Sequence, residues 1–318
     1  SARPMTQQLA VFFPGQGSQA VGMLDALAES HPSVKHTFEE ASDALGRDLW
    51  SLVGQGPKED LDRTENTQPA MLAAGVAVWR VWQQSGGRPA TVMAGHSLGE
   101  YAALVAAGAL GFADGIRLAA DRARFMQEAV PAGEGAMAAV LGLEDAQVVA
   151  LCAEQAQGAV LSAVNFNSPG QVVIAGSAAA VARAIDAAKA AGAKRALPLP
   201  VSVPSHCALM RPAAERLAGR LADVALAVPS VPVIHNVNVA PAEDVESLRR
   251  LLVEQLYSPV RWVETVASVA AQGVTTALEC GPGKVLTGLN KRIADNLTTL
   301  PVFDSKTLDA ALEASSHA

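Results

Sequence analysis

The chain has 318 residues, 50% of them hydrophobic and only 4% aromatic, so it is long enough for a large core built mainly from Ala, Val and Leu. Its formal net charge is −7 and it has no basic block, which argues against nucleic acid as the main partner. The longest apolar stretch, Tyr101 to Ala113, is too short for the roughly 20 residues of a membrane span, so no membrane partner is expected.

The three cysteines are far apart in the sequence and show no metal-ligand spacing. They favour a reduced, cytoplasmic protein with neither a disulfide framework nor a metal site. At the N-terminus, Met5 is the expected natural start, so residues 1–4 are interpreted as a cloning remnant with no part in the fold.

Strands and helices alternate over roughly the first 130 residues. Short apolar runs that end in glycine-rich turns predict strands, and apolar residues at helical spacing predict helices. This alternation predicts a largely parallel α/β sheet. The predicted elements are a strand at 9–13, helices near 21–29 and at 70–84, a strand at 91–94, a helix directly after Gly99 and another at 115–130.

The composition changes near residue 135 and changes back near residue 200. Between them the order is strand, helix, strand, helix, strand, which predicts a small insert at 133–199 within a large α/β subdomain formed by 5–132 and 200–312. The predicted elements of the insert are 136–141, 144–157, 172–176, 177–191 and 195–199. Beyond it we expect helices at 211–225, 248–256 and 262–272, and strands at 231–235 and 276–279.

The segment 95–99, Gly-His-Ser-Leu-Gly, fits the nucleophile pattern G-x-S-x-G between a predicted strand and a predicted helix. Such a turn projects the hydroxyl of Ser97, and the N–H of Leu98 at the helix N-terminus can donate to an oxyanion. A second glycine-rich turn follows the first strand, where the N–H of Gln16 would complete an oxyanion hole. The alternatives are an ordinary βα turn with serine as a helix cap, and a plain connecting turn.

A serine nucleophile needs a base, and the sequence has six histidines. His206 follows an apolar strand in a loop-like position and is the favoured base, with His235, expected as a core histidine, next. No Asp or Glu stands out as a third triad member, so a backbone carbonyl is the alternative partner of the imidazole. An unperturbed histidine base gives a rate that rises with pH through about 6.5. The other four histidines are in polar or terminal segments or point away in the sharp turn: His31, His36, His317 and His96.

A charged residue interrupts the apolar face of the helix at 115–130. Helical spacing places Leu118, Arg122, Phe125 and Ala129 on one face, which is apolar except for Arg122. A guanidinium facing the core cannot shed its charge and needs an anionic partner. Either a distant Asp or Glu supplies that partner, or a ligand anion does.

Together these motifs resemble the malonyl-CoA:acyl carrier protein transacylases of fatty-acid synthesis, over nearly the whole chain from Met5. In this order they are specific for that group. The segments that carry the resemblance are 13–19, 67–70, 95–101, 122–127, 165–171, 203–206 and 281–286.

The resemblance implies a hydrolase-like, largely parallel α/β domain with an inserted ferredoxin-like α+β subdomain. It also implies a ping-pong reaction, in which Ser97 takes the malonyl group from malonyl-CoA and passes it to the pantetheine thiol of acyl carrier protein. His206 then acts first as base and afterwards as acid. No cofactor is implied, because the coenzyme A thioester is a substrate, and a monomer is expected.

The resemblance also assigns individual residues. The N–H groups of Gln16 and Leu98 would hold the oxyanion, Arg122 would pair with the malonyl carboxylate, and Asn165 would contact the substrate. The backbone carbonyl of Arg261, in the loop 258–261, would orient the imidazole of the base. Many relatives carry Gln where Arg261 stands, which leaves the carbonyl in place but not any side-chain role.

Three other hypotheses for the function stay open. An α/β-hydrolase esterase shares the elbow but should place its Asp or Glu and then its His late in the chain, and it would not explain Arg122. An acyltransferase that loads a polyketide assembly line shares every motif. A non-catalytic domain that only binds carrier protein would not need Ser97, His206 and Arg122.

Overall fold

The computed structural model describes residues 8–201 and 203–316. Residues 1–4, interpreted as a cloning remnant, together with Met5 and His317, lie outside the described residues. The strands are β1 Ala10–Phe13, β2 Val92–Gly95, β3 Gly135–Leu141, β4 Leu161–Ser168, β5 Gln171–Ser177, β6 Arg195–Pro198, β7 Val233–Ile234, β8 Thr276–Cys280 and β9 Thr298–Val302. The helices are α1 Asp25–Ser30, α2 Ser33–Leu45, α3 Leu49–Gln55, α4 Lys58–Leu61, α5 Thr64–Gln84, α6 Gly99–Ala106, α7 Phe112–Ala129, α8 Asp145–Ala156, α9 Ala178–Ala190, α10 Arg211–Leu221, α11 Val245–Gln255, α12 Trp262–Ala271, α13 Val285–Ile293 and α14 Ser305–Ser316.

The larger sheet has five strands in the order β7-β2-β1-β8-β9, and every neighbouring pair is parallel. Strands β1, β2 and β8 are buried throughout, as expected for a parallel sheet covered on both faces by helices. The strand order runs outward from β1 in both directions, so the loops after β1 and β2 meet at the carboxyl edge of the sheet. This confirms the predicted α/β fold and brings the two glycine-rich turns together.

The smaller sheet is antiparallel, with the order β4-β5-β3-β6. The chain runs through it as βαββαβ, with α8 and α9 as its helices, which is the ferredoxin-like arrangement. All four strands lie between Gly135 and Pro198, inside the range 133–199 given to the insert. Strand β4 was not predicted, because its polar residues and two register shifts interrupt the alternation that predicts a strand.

Helix α5 begins one and a half turns earlier than expected, at Thr64 rather than Ala70. The prediction stopped at Pro69, which lies inside the helix and cannot donate a hydrogen bond to the carbonyl of Glu65. A terminal nitrogen of Arg47 donates to that carbonyl instead, at 3.0 Å. The additional turn matters because it carries Thr64 and Gln68, which contact the site described below.

None of the helices within residues 8–201 and 203–316 is both long enough and apolar enough to cross a membrane.

Candidate active site

Ser97 lies on a sharp turn between β2 and α6. Its φ is +53°, a left-handed conformation that costs a residue with a side chain about 1–3 kcal/mol. Two glycines make the turn possible. A Cβ at Gly95 would lie 1.9 Å from the carbonyl carbon of Gly99, and a Cβ at Gly99 would lie 2.1 Å from the carbonyl oxygen of Phe13. The start of α6 is therefore in direct backbone contact with β1 and β2.

Asn236, immediately after β7, holds both sides of this turn. Its Oδ1 accepts from the N–H of Ser97 at 2.9 Å, and its Nδ2 donates to the carbonyl of Gly95 at 2.7 Å. Its own N–H donates to Glu100 at 2.8 Å, and the Nδ1 of His235 lies 3.1 Å from the other oxygen of Glu100. His235 is fully buried, as expected of a core histidine. Asn236 was missed by the sequence analysis, and only its position directly after a buried strand pointed to it.

His206 lies beside the serine. Its Nε2 is 2.7 Å from the Oγ of Ser97, and its Nδ1 is 2.8 Å from the backbone carbonyl of Gln255. Because a carbonyl oxygen can only accept, Nδ1 carries the proton and the lone pair of Nε2 faces the hydroxyl. The geometry is that of a nucleophile and its general base, oriented by a carbonyl instead of a carboxylate.

The carbonyl that orients His206 belongs to Gln255 and not to Arg261, so the assignment of Arg261 was wrong. Arg261 is the residue before α12, and its carbonyl accepts from the N–H and the hydroxyl of Thr265, at 3.0 and 2.8 Å. Its side chain is paired with Glu264. A carbonyl directed into its own helix is not available to the imidazole.

His206 is buried, and burial lowers the pKa of its imidazole to about 3. The positive charge of Arg122 contributes to this lowering as the second cause, while the backbone carbonyls of Gln255 and Ser258 act in the opposite direction. The imidazole is therefore neutral at neutral pH, which is the form that can accept the serine proton. The pKa of about 6.5 expected for an unperturbed histidine does not apply here.

The N–H groups of Leu98 and Gln16 belong to the two turns that meet beside the serine. A Cβ at Gly15 would lie 2.5 Å from the carbonyl oxygen of His96 and 3.7 Å from the nitrogen of Leu98, so glycine allows the turns to approach closely. Within the described part of the chain, neither amide donates to a protein acceptor. Two unpaired amides next to a nucleophilic hydroxyl can stabilise a developing oxyanion.

Arg122 is 1% exposed, as its place on the apolar face of α7 predicted. Its Nη1 donates to the Oε1 of Gln68 at 2.7 Å and its Nη2 to the Oε1 of Gln255 at 3.0 Å, while its Nε has no partner. None of the described carboxylates lies within ion-pair distance of it. The sequence left two possible partners for Arg122, and one of them, a distant Asp or Glu, is therefore not found among the described residues. Gln68 and Gln255 were not recognised as site residues.

A cleft of about 730 Å³ opens over Ser97 and His206, between the two subdomains. Asn165, on β4, lines it with a buried side-chain oxygen that has no hydrogen-bond partner. His96 also lines the cleft, and its Nε2 lies 2.7 Å from the Oδ1 of Asn167. Residues from both subdomains therefore form the walls. Among the residues that the structure describes, no group of three or more metal-binding side chains is present.

Comparisons with known proteins agree with this geometry. The model of the acyl transferase domain family matches residues 11–302. The chain is 60% identical over 306 residues to the malonyl CoA-acyl carrier protein transacylase of Escherichia coli K12, covering 96% of this chain and 99% of that protein. It is 59% identical over 305 residues to the protein of that name from Salmonella typhimurium, with the same coverage.

Solved structures give the same result. The malonyl CoA-acyl carrier protein transacylase of Coxiella burnetii superposes with a TM-score of 0.97 at 49% identity, covering 99% of this chain and 100% of that one. A malonyl-transacylase in complex with a type II PKS acyl-carrier protein gives 0.95 at 57% identity, with 96% and 99% coverage. The chain belongs to the malonyl CoA-acyl carrier protein transacylase family and is an acyltransferase.

Proposed function

We propose that the chain transfers a malonyl group from malonyl-CoA to the pantetheine thiol of acyl carrier protein, and so supplies extender units for fatty-acid synthesis. The observation that carries this proposal is the pairing of Ser97 with a neutral His206, 2.7 Å away, close to a buried arginine that has no carboxylate partner. The names of its relatives give the same two substrates, and one solved neighbour is bound to an acyl carrier protein.

In the first half-reaction the Oγ of Ser97 attacks the thioester carbonyl carbon of malonyl-CoA, and its proton moves to the Nε2 of His206. The carbonyl oxygen becomes an oxyanion that accepts from the N–H groups of Gln16 and Leu98. The carbon–sulfur bond then breaks, and the coenzyme A sulfur leaves with the proton held by His206. The product is a malonyl-serine ester.

The second half-reaction reverses these roles. The pantetheine thiol of acyl carrier protein gives its proton to His206 while its sulfur attacks the ester carbonyl. The same two amides hold the oxyanion, the carbon–oxygen bond breaks and the Oγ of Ser97 recovers the proton. No cofactor takes part in this scheme, because coenzyme A enters as the carrier of the substrate.

Arg122 pairs with the free carboxylate of the malonyl group in this proposal. A guanidinium and a carboxylate match in fork geometry, and such a pair is strong where water is excluded. Gln255 connects the two ends of the site, since its side chain accepts from Arg122 and donates to the carbonyl of Ser97 at 3.0 Å. Asn165 is proposed to contact the acyl chain or the pantetheine arm, because the residue lines the cleft.

The proposed setting is the cytoplasm, with the chain acting as a monomer. All three cysteines are free thiols, as a reducing compartment favours. The nucleophile, base, oxyanion amides and arginine all come from one chain, so the reaction needs no residue from a second copy.

A second candidate is the loading of a polyketide assembly line with the same acyl group. One observation favours it, namely the 57%-identical neighbour bound to a type II PKS acyl-carrier protein. Comparing kcat/KM for carrier proteins of the two pathways separates these candidates. The esterase alternative expects a carboxylate beside its base, whereas His206 lies against the backbone carbonyl of Gln255, and it leaves Arg122 without a role.

Acyl carrier proteins are typically acidic, so docking on this acidic chain should use a local basic surface. Lys284, Lys291 and Arg292 lie at the two ends of α13 and are exposed. The loop before α13 contacts the turn that carries Gln16, since a Cβ at Gly281 would lie 2.7 Å from the ring of Pro14. Lys194 and Arg195, exposed at the end of the insert, are the other candidates.

Reversing the charge of Lys291 and Arg292 to Glu should raise the KM for carrier protein about threefold or more, with a larger effect at low salt. The reason is weaker attraction to an acidic partner, so kcat should change little. Lys306→Glu, on α14, is the matched control and should leave KM unchanged. If Lys291→Glu, Arg292→Glu, Lys194→Glu and Arg195→Glu all keep the KM of the parent, these residues do not dock carrier protein.

The neutral state of His206 can be tested through stability. Between about pH 3 and the ordinary histidine value of about 6.5, the unfolded chain binds a proton at His206 that the folded chain does not. The free energy of unfolding should therefore fall as the pH drops below about 6.5. For this single group the loss between about pH 7.5 and 5.5 is about 1.4 kcal/mol.

Urea unfolding of the parent and of His206→Gln at these two pH values measures that contribution. Glutamine does not titrate, so the variant should lose about 1.4 kcal/mol less than the parent. Other buried groups such as His96 titrate in both proteins and cancel in the difference. Equal losses in the two proteins would mean that His206 is not held neutral.

Arg122→Ala tests the proposed function directly. Transfer from malonyl-CoA should lose about 2–5 kcal/mol in kcat/KM, because a buried charged partner of the substrate is removed. The activity with acetyl-CoA relative to malonyl-CoA should rise, since no unpaired guanidinium remains. Arg122→Lys should recover only part of the malonyl activity, because an ammonium cannot form the fork.

The matched control is Arg124→Ala, which removes a half-exposed arginine from the same helix and should leave the malonyl-to-acetyl ratio unchanged. If Arg122 only held the fold, both substrates would lose activity in parallel and the Tm would fall. That outcome, with an unchanged ratio, would contradict the carboxylate-reading role.

A further inference from the structure

The guanidinium of Arg122 is held by two neutral amides. Its Nη1 donates to the Oε1 of Gln68 and its Nη2 to the Oε1 of Gln255, at 2.7 and 3.0 Å, and both glutamines are at most 1% exposed. Buried arginines usually meet a carboxylate, because the charge must be compensated as well as its N–H groups satisfied. An amide oxygen satisfies an N–H group and fixes the guanidinium, but it leaves the charge in place.

The direction in which each amide points follows from its partners: Arg122 only donates, so the oxygen of each glutamine faces it. The Nε2 of Gln68 donates to the hydroxyl of Thr64 at 2.9 Å. The Nε2 of Gln255 donates to the carbonyl of Ser97 at 3.0 Å and lies 3.3 Å from the Oδ1 of Asn236. Carbonyl oxygens accept only, so the NH2 group of Gln255 must face them and its oxygen must face the arginine.

The other described neighbours of Arg122 do not form an ion pair with it. Glu100 is buried and its negative charge acts on Arg122 from a distance, but its two oxygens accept from Asn236 and face His235. Burial raises the pKa of Tyr101 to about 12, so it stays a neutral hydroxyl. Neither that hydroxyl nor the Nε of Arg122 forms a hydrogen bond of standard geometry, but the two side chains interact with each other, and the tyrosine ring lies 5.5 Å from the guanidinium carbon. Among the described residues, the charge of Arg122 is therefore surrounded by neutral partners and is not paired with a carboxylate.

We propose that Gln68 and Gln255 are specificity-determining residues, which position Arg122 with neutral acceptors and so keep its charge for the carboxylate of the acyl group. An acyl group that carries a carboxylate then compensates the guanidinium on arrival, whereas an acetyl group leaves it unpaired. This inference rests on the proposed function, because it explains how the same site selects malonyl.

Gln68→Glu is the variant that isolates the charge. Glutamate has the shape of glutamine, and its carboxylate would form a buried ion pair with Arg122 in place of the neutral hydrogen bond. The hydroxyl of Thr64, which now donates to the Oε1 of Gln16 at 3.2 Å, can turn and donate to the new carboxylate. Gln255→Glu is unsuitable, because a carboxylate oxygen would face the two acceptors that now receive its NH2 group.

The experiment measures kcat/KM for malonyl-CoA and for acetyl-CoA, with acyl carrier protein as acceptor. In Gln68→Glu the malonyl-to-acetyl ratio should fall roughly tenfold or more, since the ion pair removes the attraction for the substrate carboxylate. Gln84→Glu adds the same charge to an exposed position on α5 and should keep the parent ratio. Any effect of the turned Thr64 hydroxyl acts on both substrates and cancels in the ratio.

Gln68→Met removes the amide without adding a charge and should keep the ratio within about threefold of the parent. If Gln68→Glu does not fold, a tenfold fall of the ratio in Gln68→Met would still overturn the inference, because that variant adds no charge. A parent-like ratio in folded Gln68→Glu, or an equal loss of preference in Gln68→Met, would overturn the inference. If the parent itself shows no preference for malonyl-CoA, the proposed function fails; if the parent prefers malonyl and Gln68→Glu keeps that preference, only this inference fails.

Discussion

The left-handed turn at Ser97 is the constraint on which the rest of the site depends. A φ of +53° is unfavourable by about 1–3 kcal/mol for serine, and it persists only because the surroundings fix it. Backbone contact between Gly99 and Phe13 fixes α6 against β1, and Asn236 hydrogen-bonds to both sides of the turn. The result is a hydroxyl directed at His206 and a free amide at Leu98, both positioned before any substrate binds.

A single buried residue, Gln255, then joins the nucleophile, the base and the arginine. Its backbone carbonyl orients His206, while its side chain donates to the carbonyl of Ser97 and accepts from Arg122. A carboxylate as the third triad member would raise the pKa of His206 and would also compensate the charge of Arg122. A backbone carbonyl raises the pKa of His206 only weakly, and it does not compensate the charge of Arg122. Within the part of the chain that the structure describes, the carbonyl partner of His206 and the lack of an ion pair at Arg122 are therefore two aspects of one electrostatic arrangement.

Local signals in the sequence were sufficient for the elbow, for the choice of His206 and for the burial of Arg122. The elbow and the burial of Arg122 follow from a motif and a periodicity in contiguous sequence, and His206 was chosen by elimination among the six histidines. Asn236 and Gln255 were out of reach because they contact Ser97 across 139 and 158 positions of the chain. Strand β4 was missed because bulges interrupt its pattern. The resemblance assigned the carbonyl that orients His206 to Arg261, at the start of α12, whereas it belongs to Gln255, at the end of α11. Sequence alone does not show which way a carbonyl points.

The proposed transfer requires that Ser97 accepts a malonyl group, and intact mass spectrometry after mixing with malonyl-CoA tests this most directly. The parent should gain the mass of one malonyl group, and peptide mapping should place it on Ser97. Ser97→Ala should remain folded and gain no mass, because no other hydroxyl lies against His206 on this turn. An adduct that persists in Ser97→Ala, or one that maps to another residue in the parent, would contradict the mechanism.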